Sequence, residues 1–206
     1  LDLRENYKNS KDTGSLRSNI TFDAPSVPDS GFNQRKEIAS TALGLSARAT
    51  YTEPLSKKIY AEVNYGVNIN NNDGYNKSFD IDKGGALDSN FSSHFVYNIL
   101  ANTCGLNFKY VSEKFNVSVG SDVSNTDYKQ TNKLYYDTSH TFTYLNLMPS
   151  VDFAYNLSKQ TSLKIRYSGK TIQPTFAQTQ PLRQNTDPLN ITIGNPGLAQ
   201  GFRHNI

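Results

Sequence analysis

The sequence predicts an all-β protein whose strands form an antiparallel up-and-down meander, and three observations support this prediction. Leu145–Thr171 consists of two runs of alternating apolar and polar residues around a short polar break at Ser158–Thr161, which is typical of a β-hairpin with two chemically different faces. Short turns and long polar segments alternate along the chain, which favours a meander over a Greek key. No segment shows a sustained 3.6-residue apolar repeat, so we expect almost no helix.

The two faces of this hairpin differ in chemistry. One face carries apolar or aromatic side chains, namely Leu147, Val151, Phe153, Tyr155, Leu157, Leu163, Ile165 and Tyr167. The other face carries polar residues and full charges, among them Asp152 and Lys164. Charged side chains need water or counter-charges, whereas an apolar face needs lipid or a second protein layer. Which of these covers the apolar face therefore decides the function.

The other predicted strands show the same alternation. They are Leu1–Lys8, Ile38–Thr52, Ile59–Asn71, Phe91–Val111, a strand that starts at Phe115, and a strand that begins at Gly201. The short turns between strands are predicted at Glu53–Lys58, Ser112–Lys114 and Ser158–Thr161. Gly, Pro and Asn mark the long loops, which are predicted at Asn9–Asn33, Asn71–Asn90, Thr131–His140 and Ile172–Gln200.

Two local features modify this strand pattern. Leu16, Ile20 and Phe22 lie at alternating positions inside the first long loop, so they could extend the strand pairing beyond the main sheet. Pro149 falls in the middle of a predicted strand, where it cannot donate a ladder hydrogen bond. We therefore expect a bulge at Pro149, or a strand that effectively starts at Ser150.

Composition excludes several classes of protein. A net charge of +3 over 206 residues, without a cluster of cations and interleaved aromatic residues, argues against nucleic-acid binding. A single cysteine, Cys104, excludes an internal disulfide framework and a cysteine-based zinc site. No run of eighteen apolar residues exists, which argues against a transmembrane helix. A membrane β-barrel remains open, because only alternate residues of its strands need to be apolar.

Three features favour a transmembrane β-barrel over a soluble sheet. Short turns lie at one end of the meander and long loops at the other, as in outer-membrane barrels. A tyrosine precedes each short turn by a few residues, at Tyr51, Tyr110 and Tyr155, where an interfacial aromatic girdle would lie. The strands exceed the roughly 10 residues needed to cross a bilayer. The alternative is a soluble sandwich or meander whose charged face is simply its outer surface.

A barrel would direct the charges of the polar face into a wet lumen. These charged residues are Arg48, Glu62, Lys109, Asp122, Asp152, Lys164, Arg166 and Lys170. The cations among them could favour an anionic or hydrogen-bonding solute, and the alternative is that they pair with Asp122, Asp152 or residues of a plug domain. The last long loop, with Phe176, Gln178 and Gln180, is expected to contact substrate or plug near the outer mouth.

Three segments resemble the outer-membrane β-barrel family of Bacteroidetes that is related to TonB-dependent receptors. They are Thr50–Asn72, Leu145–Leu182 and Asp187–Ile206. The most specific piece is the GNP-x-L pattern at Gly194–Leu198, followed by a strand that carries His204, and the preceding run QPTFAQTQPL is nearly as characteristic. Gln200 stands where the family more often has Pro-Glu.

The resemblance implies a barrel of about twenty-two strands in the outer membrane of a Gram-negative bacterium. Residues 1–206 would form a section of about seven or eight strands, without a plug domain or a TonB box. Such a section has two open edges, so its partners would be outer-membrane lipid, the remainder of the barrel, a plug domain, TonB and a surface lipoprotein. No nucleic acid is implied.

No catalytic, metal or cofactor site is predicted. His94, His140 and His204 are far apart and lack metal-ligand neighbours at i±2 or i±4. The polar stretch Asn68–Asp82 does not fit a calcium loop, because a fit on Gly74 places Ile69 at the first ligand position. A loosely bound surface ion at Asp80, Asp82 and Asp88 is the alternative there. No nucleophile–base or paired-carboxylate arrangement can be singled out, so we expect no enzyme.

The resemblance implies that the whole protein captures a bulky nutrient and passes it inward with energy transmitted by TonB. Two alternatives stay open from the residues. One is a barrel without transport activity that serves as a docking subunit of a surface or secretion assembly. The other is a soluble, secreted β-sheet adhesin.

Overall fold

The computed structural model describes residues 1–21, 23, 30–134, 138–158, 160–179, 183–184, 190–195 and 197–206. Long strands dominate it. They are β1 (Asp2–Ile20), β2 (Ser30–Pro54), β3 (Ile59–Asp80), β5 (Ser93–Val111), β6 (Phe115–Asn132), β7 (Thr138–Asn156) and β8 (Ser162–Ile172). The short elements are β4 (Ala86–Leu87), a 3-10 turn (Ser89–Phe91), helix α1 (Phe176–Thr179), β9 (Arg183–Gln184), β10 (Thr192–Ile193) and β11 (Gly201–Asn205).

The main sheet is an antiparallel meander in the order β1-β2-β3-β5-β6-β7-β8-β11, and β4 pairs with the end of β3. Each long strand pairs with the next one along the chain, and the ladders are long and regular, as in Asp2↔Arg48 to Ile20↔Ser30 between β1 and β2. The sheet curls into a half-barrel. The predicted fold class, including the near absence of helix in the described residues, is confirmed.

The three short turns share one mechanism. Each contains a serine whose hydroxyl oxygen accepts a hydrogen bond from the backbone N–H three residues later: Ser56 from Ile59, Ser112 from Phe115 and Ser158 from Thr161, each at 3.1 Å. A serine side chain that replaces a backbone partner in this way favours a tight turn. The predicted turn positions are confirmed, although Glu53 and Pro54 still belong to β2.

Two of the predicted long loops are largely strand, so those predictions were wrong. β1 continues to Ile20, and β3 continues to Asp80 opposite Gln34 of β2. In these parts most residues on both faces are polar, which weakens the period-two signal, but the backbone ladder forms regardless of side-chain polarity. The suggestion that Leu16 and Ile20 extend the pairing is confirmed, whereas Phe22 lies outside the described residues.

The remaining loop predictions are also corrected in part. After β3 the chain turns through Gly84 and Gly85, whose positive φ values of 68° and 80° suit glycine. The 3-10 turn then packs under β3, where the Ser78 hydroxyl donates to the Phe91 carbonyl at 3.0 Å. The third loop is shorter than predicted, because β6 ends at Asn132 and β7 begins at Thr138.

Pro149 causes no bulge. The β6–β7 ladder runs through Ser121↔Pro149 without a shift in register, so the bulge prediction was wrong. The β7–β8 ladder, however, starts at Ser150↔Ser168, one residue after the proline. The reason is that proline lacks an N–H, so it is tolerated where the ladder on one side of the strand ends. Gly169 of β8 makes room there, because a Cβ at this position would lie 3.0 Å from Pro149 Cδ.

Among the residues that the structure describes, no second layer covers the outer, apolar face of the sheet. Val63, Leu106 and Val119 lie on it, and each exposes nearly half of its surface (46, 47 and 49 %). The apolar band extends on β3 from Ile59 to Ile69, about 34 Å along the strand at about 3.4 Å per residue, or about 26 Å in height at a tilt of about 40°. This height matches the apolar band of outer-membrane barrels, about 25 Å.

The band has a polar upper edge and an aromatic lower edge. Directly above the cross-strand row of Ile69 and Leu100 the outward residues are Asn71 and Asn98. At the lower end Tyr110 stacks on Phe115 across a short turn, with ring centroids 5.1 Å apart. Among the described residues no helix is long and apolar enough to cross a membrane.

Candidate functional site: the concave inner face

The inner face of the half-barrel holds most of the predicted site cations at its lower end. Lys109, Lys164 and Arg166 line one pocket of about 740 Å³ together with Glu62 and Asp152. The strand register explains this, because Lys109 lies opposite Ser118, Ser118 opposite Asp152, and Asp152 opposite Arg166. Side chains at such positions point to the same face of a sheet, so residues far apart in the sequence meet in one row.

The cations of this lower pocket differ in their pairing. Arg166 donates a hydrogen bond from Nε to a carboxylate oxygen of Asp152, and both side chains are substantially exposed. Within the described residues, Lys109 and Lys164 form no ion pair. The pocket therefore combines an internally paired arginine with two lysines that are available to an anion, and Glu62 is the remaining carboxylate of its lining.

Arg48 belongs to a second cluster higher on the same face. Its guanidinium lies 3.8 Å from Asp122, which also accepts a hydrogen bond of 3.3 Å from Asn64. The side chains of Asn64 and Asp122 meet over Gly105, where an added Cβ would lie only 1.8 Å from Asp122 Oδ1. The alternative in which the site cations pair with acids of the sheet thus describes Arg48 and Arg166, but not Lys109 and Lys164.

Lys170 does not join either cluster. It lies opposite Arg203 of β11, and both residues are exposed. The predicted site cations are therefore divided: Lys109, Lys164 and Arg166 line one pocket, whereas Lys170 lies near the end of β8.

An aromatic cluster that was not predicted from the sequence occupies the upper part of the inner face. Tyr97 is 3 % exposed, and its ring contacts that of Tyr128 edge-on, with centroids 5.5 Å apart. Phe142 and Tyr144 follow on β7. The sequence contains a signal for this cluster. Lower on β5 the residues of this face are polar, but Phe95, Tyr97 and Ile99 on the same face are apolar or aromatic, so the alternation is inverted above the membrane band.

The segment after β8 folds inward against this aromatic cluster. Thr179 of α1 is buried, and together with Pro174 and Leu198 it encloses a gap of only about 20 Å³ against Tyr128 and Tyr144. The prediction of one long loop at Ile172–Gln200 is thereby refined, since α1 and the short ladder of β9 and β10 lie within it. Its inner part rests on the wall of the half-barrel.

Of the three predicted contact residues in this segment, only Gln178 has a described side chain. Its Oε1 accepts hydrogen bonds from the backbone N–H and the hydroxyl of Thr175, at 2.8 and 3.0 Å. Its backbone carbonyl accepts from the N–H of Asn195 at 2.6 Å. Gln178 therefore ties the two ends of the segment together, while the side chain of Phe176 and all of Gln180 lie outside the described residues.

Tyr97 and Tyr128 of the aromatic cluster lie above the apolar band, and their phenol groups are neutral. Burial raises the pKa of Tyr97 well above the ordinary value and also raises the pKa of Tyr128, and a hydrogen bond with Thr179 only partly opposes this effect. Neutral phenols can donate and accept hydrogen bonds. The inner wall at Tyr97 and Tyr128 is thus uncharged, whereas the lower pocket carries charges.

The candidate ion ligands are occupied by other contacts. The carboxylates of Asp80, Asp82 and Asp88 contact Lys83, Asn33 and Gln34, respectively. His94 bonds to Asp73, and His204 contacts the hydroxyl of Tyr167 at 3.0 Å. In the part of the chain that the structure describes, no group of three or more His, Cys, Asp or Glu residues is arranged to hold a metal ion.

Comparison with known proteins agrees with this two-faced sheet. The model of the outer membrane protein beta-barrel family matches residues 1–206. The curated proteins and the solved structures contain no match to the chain. An apolar outer band, a polar concave face and short turns at one end are the features that a protein of this kind requires. The chain therefore belongs to the outer membrane protein beta-barrel family, and its location is the outer membrane of a Gram-negative cell, in contact with membrane lipid.

Proposed function

We propose that this chain is the wall section of a TonB-dependent-receptor-like barrel that takes up a bulky nutrient across the outer membrane. The observation that carries the proposal is the charged, concave lower pocket around Lys109 and Lys164, which lies directly behind an apolar outer band. Charges on the inner side of a membrane barrel need water or a counter-charge. A water-filled or plugged lumen supplies them, and both occur in large barrels.

The width of the sheet supports a large barrel. Eight strands follow one another along the main sheet and form only a half-barrel. In the barrel of about twenty-two strands that the sequence resemblance implies, the lumen is wide enough to hold a plug domain. The remainder of the barrel would pair with the open edge of β1 and with β11. The same resemblance supports a source among the Bacteroidetes.

Within this proposal the predicted site residues have two roles. Lys109, Lys164 and Arg166 would hold acidic groups of the plug or attract an anionic solute. Arg48 and Lys170 would extend this positive lining upward. The segment with Phe176, Gln178 and Gln180 would narrow the outer mouth, because its described part already lies against the inner wall. No step of this function requires catalysis or a cofactor, and the barrel family is usually non-enzymatic.

The test uses the full-length protein and the periplasmic domain of TonB. Binding of that domain, measured by calorimetry, is expected for a TonB-coupled receptor and is expected to disappear when the TonB-contacting segment of the full-length protein is deleted. In planar bilayers the intact protein is expected to be closed to KCl, and removal of the plug is expected to open it. A barrel that binds no TonB domain and conducts without any deletion would contradict the proposal.

This experiment also tests the docking-subunit alternative, and membership of the family excludes the adhesin alternative. A docking subunit without transport activity would stay closed and would not bind the TonB domain. It would instead form a stable complex with a surface lipoprotein. The soluble, secreted adhesin is wrong for this chain, because the family to which the chain belongs lies in the outer membrane.

A further inference from the structure

The outward face of the sheet carries a basic patch above the apolar band. β1, β2, β3 and β6 continue past the row of Ile69 and Leu100, and the outward positions there include several cations. We use the name basic patch for four of them, Lys11, Arg35, Lys77 and Lys129. They lie on the same face of the sheet as the apolar band. On each strand, the cation is an even number of residues from an outward position of the band, and such positions share a face.

The basic patch rises well above the hydrocarbon. At about 3.4 Å per residue and a tilt of about 40°, Lys129 lies about 5 Å above the upper row of the band, Lys11 about 16 Å and Lys77 about 21 Å. Phospholipid headgroups extend only about 5–8 Å beyond the hydrocarbon on each side of a bilayer. Ordinary headgroups would therefore reach Lys129 but not the other members of the patch.

Two cations of the patch are held in place by aromatic rings of β3. The Arg35 guanidinium lies 4.9 Å from the centroid of Phe79, and Lys77 Nζ lies 4.7 Å from the centroid of Tyr75. The register places Arg35 opposite Phe79, two residues from Lys77, so the two cations are diagonal neighbours. Cations that are already ordered lose less entropy when they bind an anion.

The acidic residues of this outward region neutralise only one member of the basic patch by an ion pair. Glu37, which lies opposite Lys77 in the ladder, pairs with Arg35 at 3.3 Å, whereas Asp73 bonds to His94 at 2.7 Å and Asp127 accepts from the Thr143 hydroxyl. Lys11, Lys77 and Lys129 make no ion pair with any residue that the structure describes. The patch therefore keeps an excess of positive charge directed at the surroundings of the barrel rather than at its lumen.

We propose that the basic patch binds the phosphate groups of outer-leaflet lipopolysaccharide. It is continuous with the lipid-facing band, it is positively charged, and its height fits phosphates on the sugars of a glycolipid better than those of a phospholipid. Arginine and lysine are the usual partners of phosphate. The proposal depends on the outer-membrane location and the outward direction of these strands, not on transport activity.

The test measures lipid binding to the full-length protein in detergent by native mass spectrometry. Three lipids are compared: rough lipopolysaccharide, the same lipopolysaccharide after chemical dephosphorylation, and phosphatidylglycerol. The test variant is Lys11→Gln/Lys77→Gln/Lys129→Gln. The matched control removes the same number of positive charges from the short turns at the opposite end of the sheet, in Lys57→Gln/Lys58→Gln/Lys114→Gln. The heat-dependent shift in gel migration that is typical of folded barrels verifies that both variants fold.

The wild-type protein and the turn control are expected to bind phosphorylated lipopolysaccharide alike. The outward variant is expected to bind it about a hundred-fold more weakly, at about five-fold per cation removed near an anionic surface. Binding should also weaken as salt is raised. Equal binding by the outward variant, equal binding of the dephosphorylated glycolipid, or stronger binding of phosphatidylglycerol would overturn the proposal.

Discussion

Two glycines on the inner face, Gly105 and Gly120, make room for groups of the neighbouring strands. At Gly105 the space is filled by the side chains of Asn64 and Asp122, which can move. At Gly120 an added Cβ would lie 2.7 Å from the backbone carbonyl of Leu106, which cannot move without distorting the ladder. The two sites therefore predict different consequences of the same substitution.

Gly120→Ala is expected to destabilise the barrel by about 1–3 kcal/mol, as overpacking typically does. The matched control is Gly66→Ala on the same inner face, where the nearest atom to an added Cβ is 3.5 Å away. That control should be neutral or slightly stabilising, because alanine loses less entropy than glycine. Urea unfolding of the full-length protein in lipid vesicles measures both. Equal unfolding free energies for the two variants would contradict the prediction.

The two lysines of the lower pocket should influence ion selectivity. With the plug removed, Lys109→Gln/Lys164→Gln is expected to shift the reversal potential in a KCl gradient toward cation preference, because it removes two unpaired positive charges from the lumen. Lys57→Gln/Lys58→Gln, in a short turn outside the lumen, is the control and should change the potential little. If both double variants shift it equally, the charges of the lower pocket do not face the conducting path.

At the scale of the elements, serine-containing turns and backbone ladders hold the meander together. The Ser112 hydroxyl accepts from the N–H of Phe115 and donates to its carbonyl at 2.9 Å. Short turns of this kind keep consecutive strands adjacent, so the ladders form between neighbours in the sequence. The long strands continue beyond the apolar band, even at Asn70–Asp73, where the sequence has no apolar alternation.

Ser112→Ala is expected to lower the unfolding free energy by about 0.5–1.5 kcal/mol, the usual value of one net hydrogen bond. Lys114→Ala in the same turn is the control, because the turn uses the backbone carbonyl of Lys114, which accepts from Asn156 at 2.7 Å. The urea midpoint of each full-length variant is the measurement. A larger loss for Lys114→Ala would show that the serine is not the group that stabilises this turn.

At the scale of the whole molecule, the apolar band determines how the barrel lies in the membrane. Leu106 is near the middle of the band and exposes 47 % of its surface. Leu106→Lys is expected to cost about 2–4 kcal/mol, the penalty for a lysine near the bilayer midplane. Asn98→Lys, on the same strand and face but above the band, should cost about 0–1 kcal/mol. Similar penalties for both in vesicle unfolding would place the membrane elsewhere on this sheet.

The sequence by itself determined the meander, its three short turns and the division into an apolar and a charged face. These features are local: Ile59–Ile69 alternates because one side of a strand meets lipid and the other meets water. The sequence also placed Lys109, Lys164 and Arg166 on one face, since parity alone assigns them. It could not show that Asn71–Asp80 is strand, because a ladder between two polar faces leaves no periodic signal.

Only the tertiary structure decided which residues meet across strands. Register brings Lys109, Asp152 and Arg166 into one row, and it separates Lys170 from them. Contact between Thr179 and the tyrosines of β5 and β6 requires the segment after β8 to fold back onto the wall, and no local pattern encodes this. The physical reason is that strand parity is a property of neighbouring residues, whereas register and loop packing depend on contacts between distant parts of the chain.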